Sequence, residues 1–145
     1  MKRFVIAAAL VAAGAATAFA GPIEDRQAMM KAMAKNTKEL AAVAKGETPF
    51  DAAKVKALLQ VYVEDSAKLP TLFPEDSKTG GGTDPTTAAP KIWEDQAGFK
   101  AAAAKLGTDA TAALAAADQA SFAKAFGTVA SNCNACHGTY RVKKN

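Results

Sequence analysis

The sequence predicts an all-α protein, an antiparallel four-helix bundle, on three observations. Apolar residues recur at helical spacing along most of the 145 residues. No segment shows the sustained alternation of apolar and polar residues, rich in β-branched side chains, that is typical of strands. The apolar spacing is close to 3.5 residues, which favours helices that cross at about 20°.

Residues 1–20 are predicted to be a cleaved signal peptide and not part of the bundle. Two basic residues precede an apolar run at 4–16 and the small-x-small pattern at 18–20 that a signal peptidase cuts. The run is shorter than the roughly 20 residues of a membrane-spanning helix. Residues 21–145 are therefore expected to form one exported, soluble domain. Its sixteen basic and fourteen acidic residues lack the concentrated positive charge of a nucleic-acid binder.

The first two helices have clear boundary residues. The first is predicted to open at Pro22 and to end before Gly46, and the second to begin at an Asp51 cap and to end at Pro70. The segment 71–89 is rich in Pro, Gly and Thr, and it exceeds the usual connection of about 4–6 residues. It is expected either to cover a site or to be mobile.

The third and fourth helices are predicted at 90–117 and 118–142. We expect the third to be one long helix with Gly107 as its weak point, with a break at Gly107-Thr108 as the alternative. Alanine is abundant on both helices, so their backbones can approach closely. The small side chains leave space that a bulky flat group could fill.

The strongest chemical motif is Cys133-Asn134-Ala135-Cys136-His137, which matches the CxxCH attachment signature of c-type haem. Two cysteines three residues apart share one helix face, so both sulfurs can form thioethers along one edge of a porphyrin. The histidine, four residues beyond the first cysteine, can then reach the iron. We predict one haem c, bound covalently through Cys133 and Cys136 near the C-terminal helix, with His137 as an iron ligand. All three residues are predicted on the core-facing stripe.

Three other interpretations of the motif stay open at this point. Zinc would find a Cys-Cys-His set and would still need a fourth ligand. A thioredoxin-like redox pair would need a βαβ context, which this sequence lacks. A structural disulfide across two intervening residues would close too small a loop to stabilise a fold well.

The second iron ligand, if there is one, has few candidates. Apart from the initiator, every methionine is Met29, Met30 or Met33. Met30 is the best placed, because it lies one turn after Arg26 and both side chains can reach the same pocket. Met30 is predicted either to bind the iron or to pack against its open face.

Two arginines are candidate haem contacts. Arg26, which interrupts the apolar stripe of the first helix, is predicted to bind a haem propionate. Arg141 lies four residues after His137 and is predicted either to lie beside that ligand or to be a solvated cation. Among the aromatic residues, any of five could touch a porphyrin, although a place in the core is the simpler expectation: Trp93, Phe99, Phe122, Phe126 and Tyr140.

These features together resemble the class II c-type cytochromes, the family that includes cytochrome c-prime. The resemblance covers residues 21–145, and four motifs carry it: Arg26-Gln27-x-x-Met30, Leu72-Phe73-Pro74, Pro90-x-Ile92-Trp93 and the segment from Cys133 to Arg141. It implies a left-handed four-helix bundle, a periplasmic home and often a homodimer formed through the first two helices. It also implies proximal ligation by His137, a propionate contact by Arg26, a basic neighbour in Arg141 and a distal position for Met30.

The family has two branches, and the resemblance favours one of them. In the low-spin branch a distal methionine binds iron and the protein carries single electrons to partner proteins. In the c-prime branch the iron is five-coordinate and binds nitric oxide or carbon monoxide. The segment 45–50, with the Leu-Phe-Pro and Pro-Lys-Ile-Trp motifs, is more similar to the low-spin branch. We therefore expect an electron carrier, with gas binding as the alternative and no enzymatic activity in either case.

Overall fold

The computed structural model describes residues 21–143, in which four long helices pack around one core. The predicted signal peptide lies outside the described residues. The structure contains the helices α1 (Pro22–Ala44), α2 (Ala52–Lys68), α3 (Lys91–Glu94), α4 (Gln96–Ala113) and α5 (Gln119–Tyr140), with 3-10 turns at Leu69–Leu72 and Glu75–Ser77. The helix α1 packs on α2 and α5, and α4 packs on the same two helices. This arrangement confirms the predicted four-helix bundle. Within residues 21–143, no helix has the length and apolar character needed to cross a membrane.

The predicted helix starts are confirmed, because each depends on a local signal. Pro22 occupies the first turn of α1. The Asp51 carboxylate accepts hydrogen bonds from the backbone N–H of Ala53 (2.9 Å) and Lys54 (3.0 Å), which caps α2. Gly46 follows α1 with φ of 77°, a left-handed conformation that favours glycine.

The prediction of one long third helix was wrong, as was the alternative break at Gly107-Thr108. The chain breaks at Asp95, where φ is −132° and ψ is 62°, and the Asp95 carboxylate accepts from the Gly98 N–H at 3.0 Å to cap α4. The helix α4 runs unbroken through Gly107 and ends at Ala113. Because the Asp95 side chain caps the start of α4, α3 ends after a single turn.

Gly107 is explained by close packing of α4 on α2. A Cβ atom at this position would overlap the hydroxyl oxygen of Ser66 on α2. Ser66 is buried and donates to the Val63 carbonyl at 2.9 Å. Gly107 therefore allows close contact between two helices and does not weaken α4.

The bundle core also accommodates a polar pair that links α1 to α2. The Tyr62 side chain is fully buried, and its hydroxyl donates to the Met33 carbonyl at 3.0 Å. The Thr37 hydroxyl lies 2.7 Å from the same phenol oxygen. Thr37 interrupts the apolar stripe of α1 without leaving a buried polar group unpaired.

We expect Gly107→Ala and Gly127→Ala to change stability in opposite directions. An added Cβ at Gly127, in α5, would meet no atom within 4 Å, so the free energy of unfolding should rise by about 0.5–1 kcal/mol. The same change at Gly107 displaces the Ser66 hydroxyl, so the free energy of unfolding should fall by about 1 kcal/mol. Chemical denaturation of the holoprotein measures both free energies of unfolding. The Ser66→Ala/Gly107→Ala double variant should recover most of the loss; equal effects at both glycines would contradict the packing.

Candidate functional site

A cavity of about 630 Å³ is lined by residues of α1 and α5. Its volume lies in the range of about 300–1,000 Å³ that is typical of ligand and cofactor sites. Side chains from α4 and from the segment after α2 complete its walls. All of the predicted site residues line this one cavity: Arg26, Met30, Cys133, Cys136, His137 and Arg141.

The two cysteines lie on the cavity side of α5 as free, half-buried thiols. Burial raises the pKa of both Cys133 and Cys136. Within residues 21–143, no group of three or more Cys, His, Asp or Glu side chains is placed to hold a metal ion. The pair therefore has neither the depressed pKa of a redox thiolate nor the additional ligands of a zinc site.

His137 lies at the rim of the cavity and is exposed. Partial desolvation lowers the pKa of His137, and the positive charge of Arg141 lowers it further. Both effects favour the neutral imidazole, which is the form that binds a metal. Arg141 is thus an electrostatic neighbour of the histidine.

The prediction that the whole motif faces the bundle core was wrong in part. The buried residues of α5 are Phe122, Phe126, Val129, Asn132 and Tyr140. The two cysteines are only half-buried and His137 is exposed. A straight helix has 3.6 residues per turn, so a 3.5-residue stripe drifts around it, and the motif lies beside the core at the cavity.

The helix α1 brings two methionines to the opposite wall of the cavity. Met30 is half-buried and Met33 is buried, and both line the cavity. Met29 belongs to the hydrophobic core and is not among the cavity-lining residues. Met30 and Met33 therefore lie at the cavity, whereas Met29 does not.

Arg26 is 3% exposed, and its guanidinium holds the segment after α2. Its Nη1 donates to Leu72 O (3.0 Å) and Ser77 Oγ (2.8 Å), and its Nη2 donates to Ser77 O (2.7 Å) and Thr86 Oγ1 (2.8 Å). The guanidinium also lies 4.6 Å from the centre of the Phe73 ring. Burial lowers the pKa of Arg26, and the charge of Glu24 opposes this effect. The sequence contains no signal for this role, because the acceptors are 46–60 residues away.

Part of the segment 71–89 forms a wall of the cavity, which agrees with the expectation that the segment covers a site. Its residues 84–88 line the cavity. At one side, Gln27 donates to the Asp84 carbonyl at 2.7 Å. At the other side, the Val142 N–H donates to the Thr87 carbonyl at 2.8 Å, beside a bridge between Ala88 and Arg141. We call this segment the covering loop.

Aromatic side chains from the covering loop, α4 and α5 meet at the cavity. The Phe73 and Phe99 rings meet edge to face with centroids 4.8 Å apart, and Phe99 meets Tyr140 in the same way at 5.3 Å. Of the five aromatic residues considered for porphyrin contact, only Phe99 and Tyr140 line the cavity. Tyr62 and Phe73 line it as well, and the sequence does not indicate this because their positions depend on how α2 and the covering loop pack.

We expect Arg26→Gln to release the covering loop. The shorter amide cannot reach the acceptors on Leu72, Ser77 and Thr86 together, so amides in residues 72–86 should exchange hydrogen faster. The free energy of unfolding should fall by about 1–3 kcal/mol. Hydrogen exchange of the holoprotein measures the effect, and Lys35→Gln on the exposed side of α1 is the control. Unchanged exchange in Arg26→Gln would contradict the assigned role.

Comparisons with known proteins identify the family. Residues 21–141 match the family described as Cytochrome C'. The chain is 47% identical to cytochrome c-556 of Agrobacterium fabrum, over 99% of both chains, and 46% identical to cytochrome c' of Rhodopseudomonas palustris, over 94% of this chain and 92% of that one. The solved structure of R. palustris cytochrome c' superimposes with a TM-score of 0.81 at 47% identity, covering 87% of this chain and 99% of the other. This chain therefore belongs to the cytochrome c' family of class II c-type cytochromes, which confirms the predicted haem c.

Proposed function

We propose that the protein is a periplasmic one-electron carrier whose haem c is attached through Cys133 and Cys136, with His137 and Met30 as axial iron ligands. The observation that carries the proposal is that one cavity has both thiols and the imidazole on its α5 wall and Met30 on its α1 wall. A six-coordinate iron would take two ligands from the protein, and this cavity offers one candidate from each of these helices, His137 from α5 and Met30 from α1.

The donor set and the lining fit a haem. Two thiols and one neutral imidazole have the spacing of a c-type attachment, and the remaining walls are largely apolar. Bound haem would supply an iron that cycles between the ferric and ferrous states. Arg26 and Arg141 bring positive charge to the cavity, which suits the propionates of a haem.

The other cavity residues would help to set the reduction potential of the haem iron. Tyr62, Phe73, Phe99 and Leu106 give the cavity a largely apolar lining. Low solvent access and the identity of the axial ligands are the main determinants of a haem potential. Desolvation, and then the charge of Arg141, lower the pKa of His137, which favours the form that can bind iron.

Gas binding by a five-coordinate iron is the second candidate. Met33 and Met30 both line the α1 wall, so methionine side chains could fill the distal space without binding the iron. The 46% identity to R. palustris cytochrome c' also favours this candidate. In either case the protein binds and releases electrons or a gas, and it is not an enzyme.

We also propose a location and an assembly for the protein, in line with the family resemblance. Residues 1–20 would direct export and be removed, and residues 21–145 would form a single haem-binding domain in the periplasm. Partner proteins there would exchange electrons with it. A homodimer through α1 and α2 is the assembly that the resemblance implies.

We expect Met30→Ala to convert a low-spin haem into a high-spin one, because alanine cannot bind the iron. The reduced visible spectrum should lose its sharp low-spin band, the oxidised spectrum should lose the methionine-to-iron charge-transfer band, and carbon monoxide should then bind. Met29→Leu is the matched control, because Met29 lies in the core and should leave the spectrum unchanged.

Two outcomes would contradict the ligand assignment. A spectrum unchanged in Met30→Ala would exclude Met30 as a ligand, and loss of the band only in Met33→Leu would transfer the role to Met33. A wild-type protein that is already high-spin and binds carbon monoxide would favour the gas-binding candidate.

A further inference from the structure

Charge is distributed unevenly along the described chain. Residues 26–38 of α1 contain four basic residues and no acidic residue, and residues 119–143 contain three basic residues and no acidic residue. The remaining described residues contain eight basic and fourteen acidic residues, and three of these acidic residues flank the acid-free stretch of α1: Glu24, Asp25 and Glu39. The two acid-free stretches lie on helices that pack against each other, α1 and α5.

Basic residues of these two stretches line the cavity. Lys31 and Lys38 line it from α1, and Arg141 lines it from α5. Lys35 lies on the same side of α1, one turn after Lys31 and nearly one turn before Lys38. We call the surface formed by Lys31, Lys35, Lys38 and Arg141 the cationic face.

Little negative charge opposes the cationic face. Asp84 is the only acidic residue among those that line the cavity in the described part of the chain, and Lys31 Nζ lies 3.3 Å from its carboxylate. The Lys31 side chain is 73% exposed. A partner that approaches the cavity therefore meets exposed ammonium groups.

We propose that the cationic face docks an acidic surface of the redox partner protein. The proposal rests on the proposed electron-transfer function, because it places the partner beside the haem cavity. Opposite charges raise the rate of encounter and fix the orientation of the two proteins. A second copy of this chain fits the face poorly, since a two-fold contact would bring like charges together.

The charge of the whole protein cannot produce the same effect. Residues 21–145 contain only two more basic than acidic residues, and two haem propionates would bring the total close to zero. If only the total charge mattered, a total near zero would make the rate of electron transfer independent of salt. A salt dependence that changes with the charge of the oxidant would therefore come from the local charge of the cationic face.

The first test uses two small oxidants of opposite charge with reduced holoprotein. The haem iron loses one electron, and either ferricyanide or tris(phenanthroline)cobalt(III) gains it. Between about 10 mM and 300 mM ionic strength, the rate with ferricyanide should fall at least about three-fold, and the rate with the cobalt complex should rise. The same salt dependence for both reagents would overturn the proposal.

Matched variants localise the effect. Lys35→Gln/Lys38→Gln should reduce the ferricyanide rate at low salt by about three-fold or more, while Lys100→Gln should leave it unchanged. Lys100 lies in a groove between α2 and α4, away from the cationic face. The haem spectrum and potential of every variant must match those of the wild type. Equal effects at Lys100 and at the Lys35/Lys38 pair would contradict a local face.

The second test identifies the kind of partner. A decaglutamate peptide added to the holoprotein should shift amide resonances around Lys35, Lys38 and Arg141, and a decalysine peptide should not. Binding of the protein to vesicles of anionic phospholipid without a response to decaglutamate would replace the protein partner with a membrane. Failure of Met30 to bind iron would leave these results unchanged, whereas failure to transfer electrons to either oxidant would reject the proposed function itself.

Discussion

The four hydrogen bonds of the buried Arg26 guanidinium are the interaction on which the cavity depends. They attach the covering loop to α1 at Leu72, Ser77 and Thr86. The far end of the same loop pairs with the residues after α5. A buried guanidinium is costly unless its donors are satisfied, so the loop and the arginine stabilise each other. Without this attachment the cavity would lose one of its walls.

The two helices α1 and α5 both line the cavity and have different tasks. The C-terminal helix holds the attachment motif, and desolvation and a neighbouring cation lower the pKa of its exposed histidine. The first helix brings methionine to the opposite wall and positive charge to the rim. This arrangement places the attachment motif close to the surface, where single electrons can be exchanged. Aromatic side chains line the inner part of the site.

Features that depend on residues close in the sequence could be predicted, and contacts between distant segments could not. The Asp51 cap and the attachment motif at 133–137 each depend on residues within one helical turn, so their place was predictable. The break at Asp95 and the contact of Gly107 with α2 depend on neighbours distant in the chain. The contact between Arg26 and the covering loop is of the same kind, so the place of Arg26 at the cavity was predictable and the acceptors of its guanidinium were not.

Covalent attachment of haem to α5 is the central claim, and the intact mass of the mature protein tests it most directly. Protein made in a host with haem-attachment machinery should have the mass of residues 21–145 plus one haem. Alkylation after denaturation should leave both Cys133 and Cys136 unmodified, because each sulfur is part of a thioether. A colourless protein with the mass of the polypeptide alone and two alkylated cysteines would contradict the account.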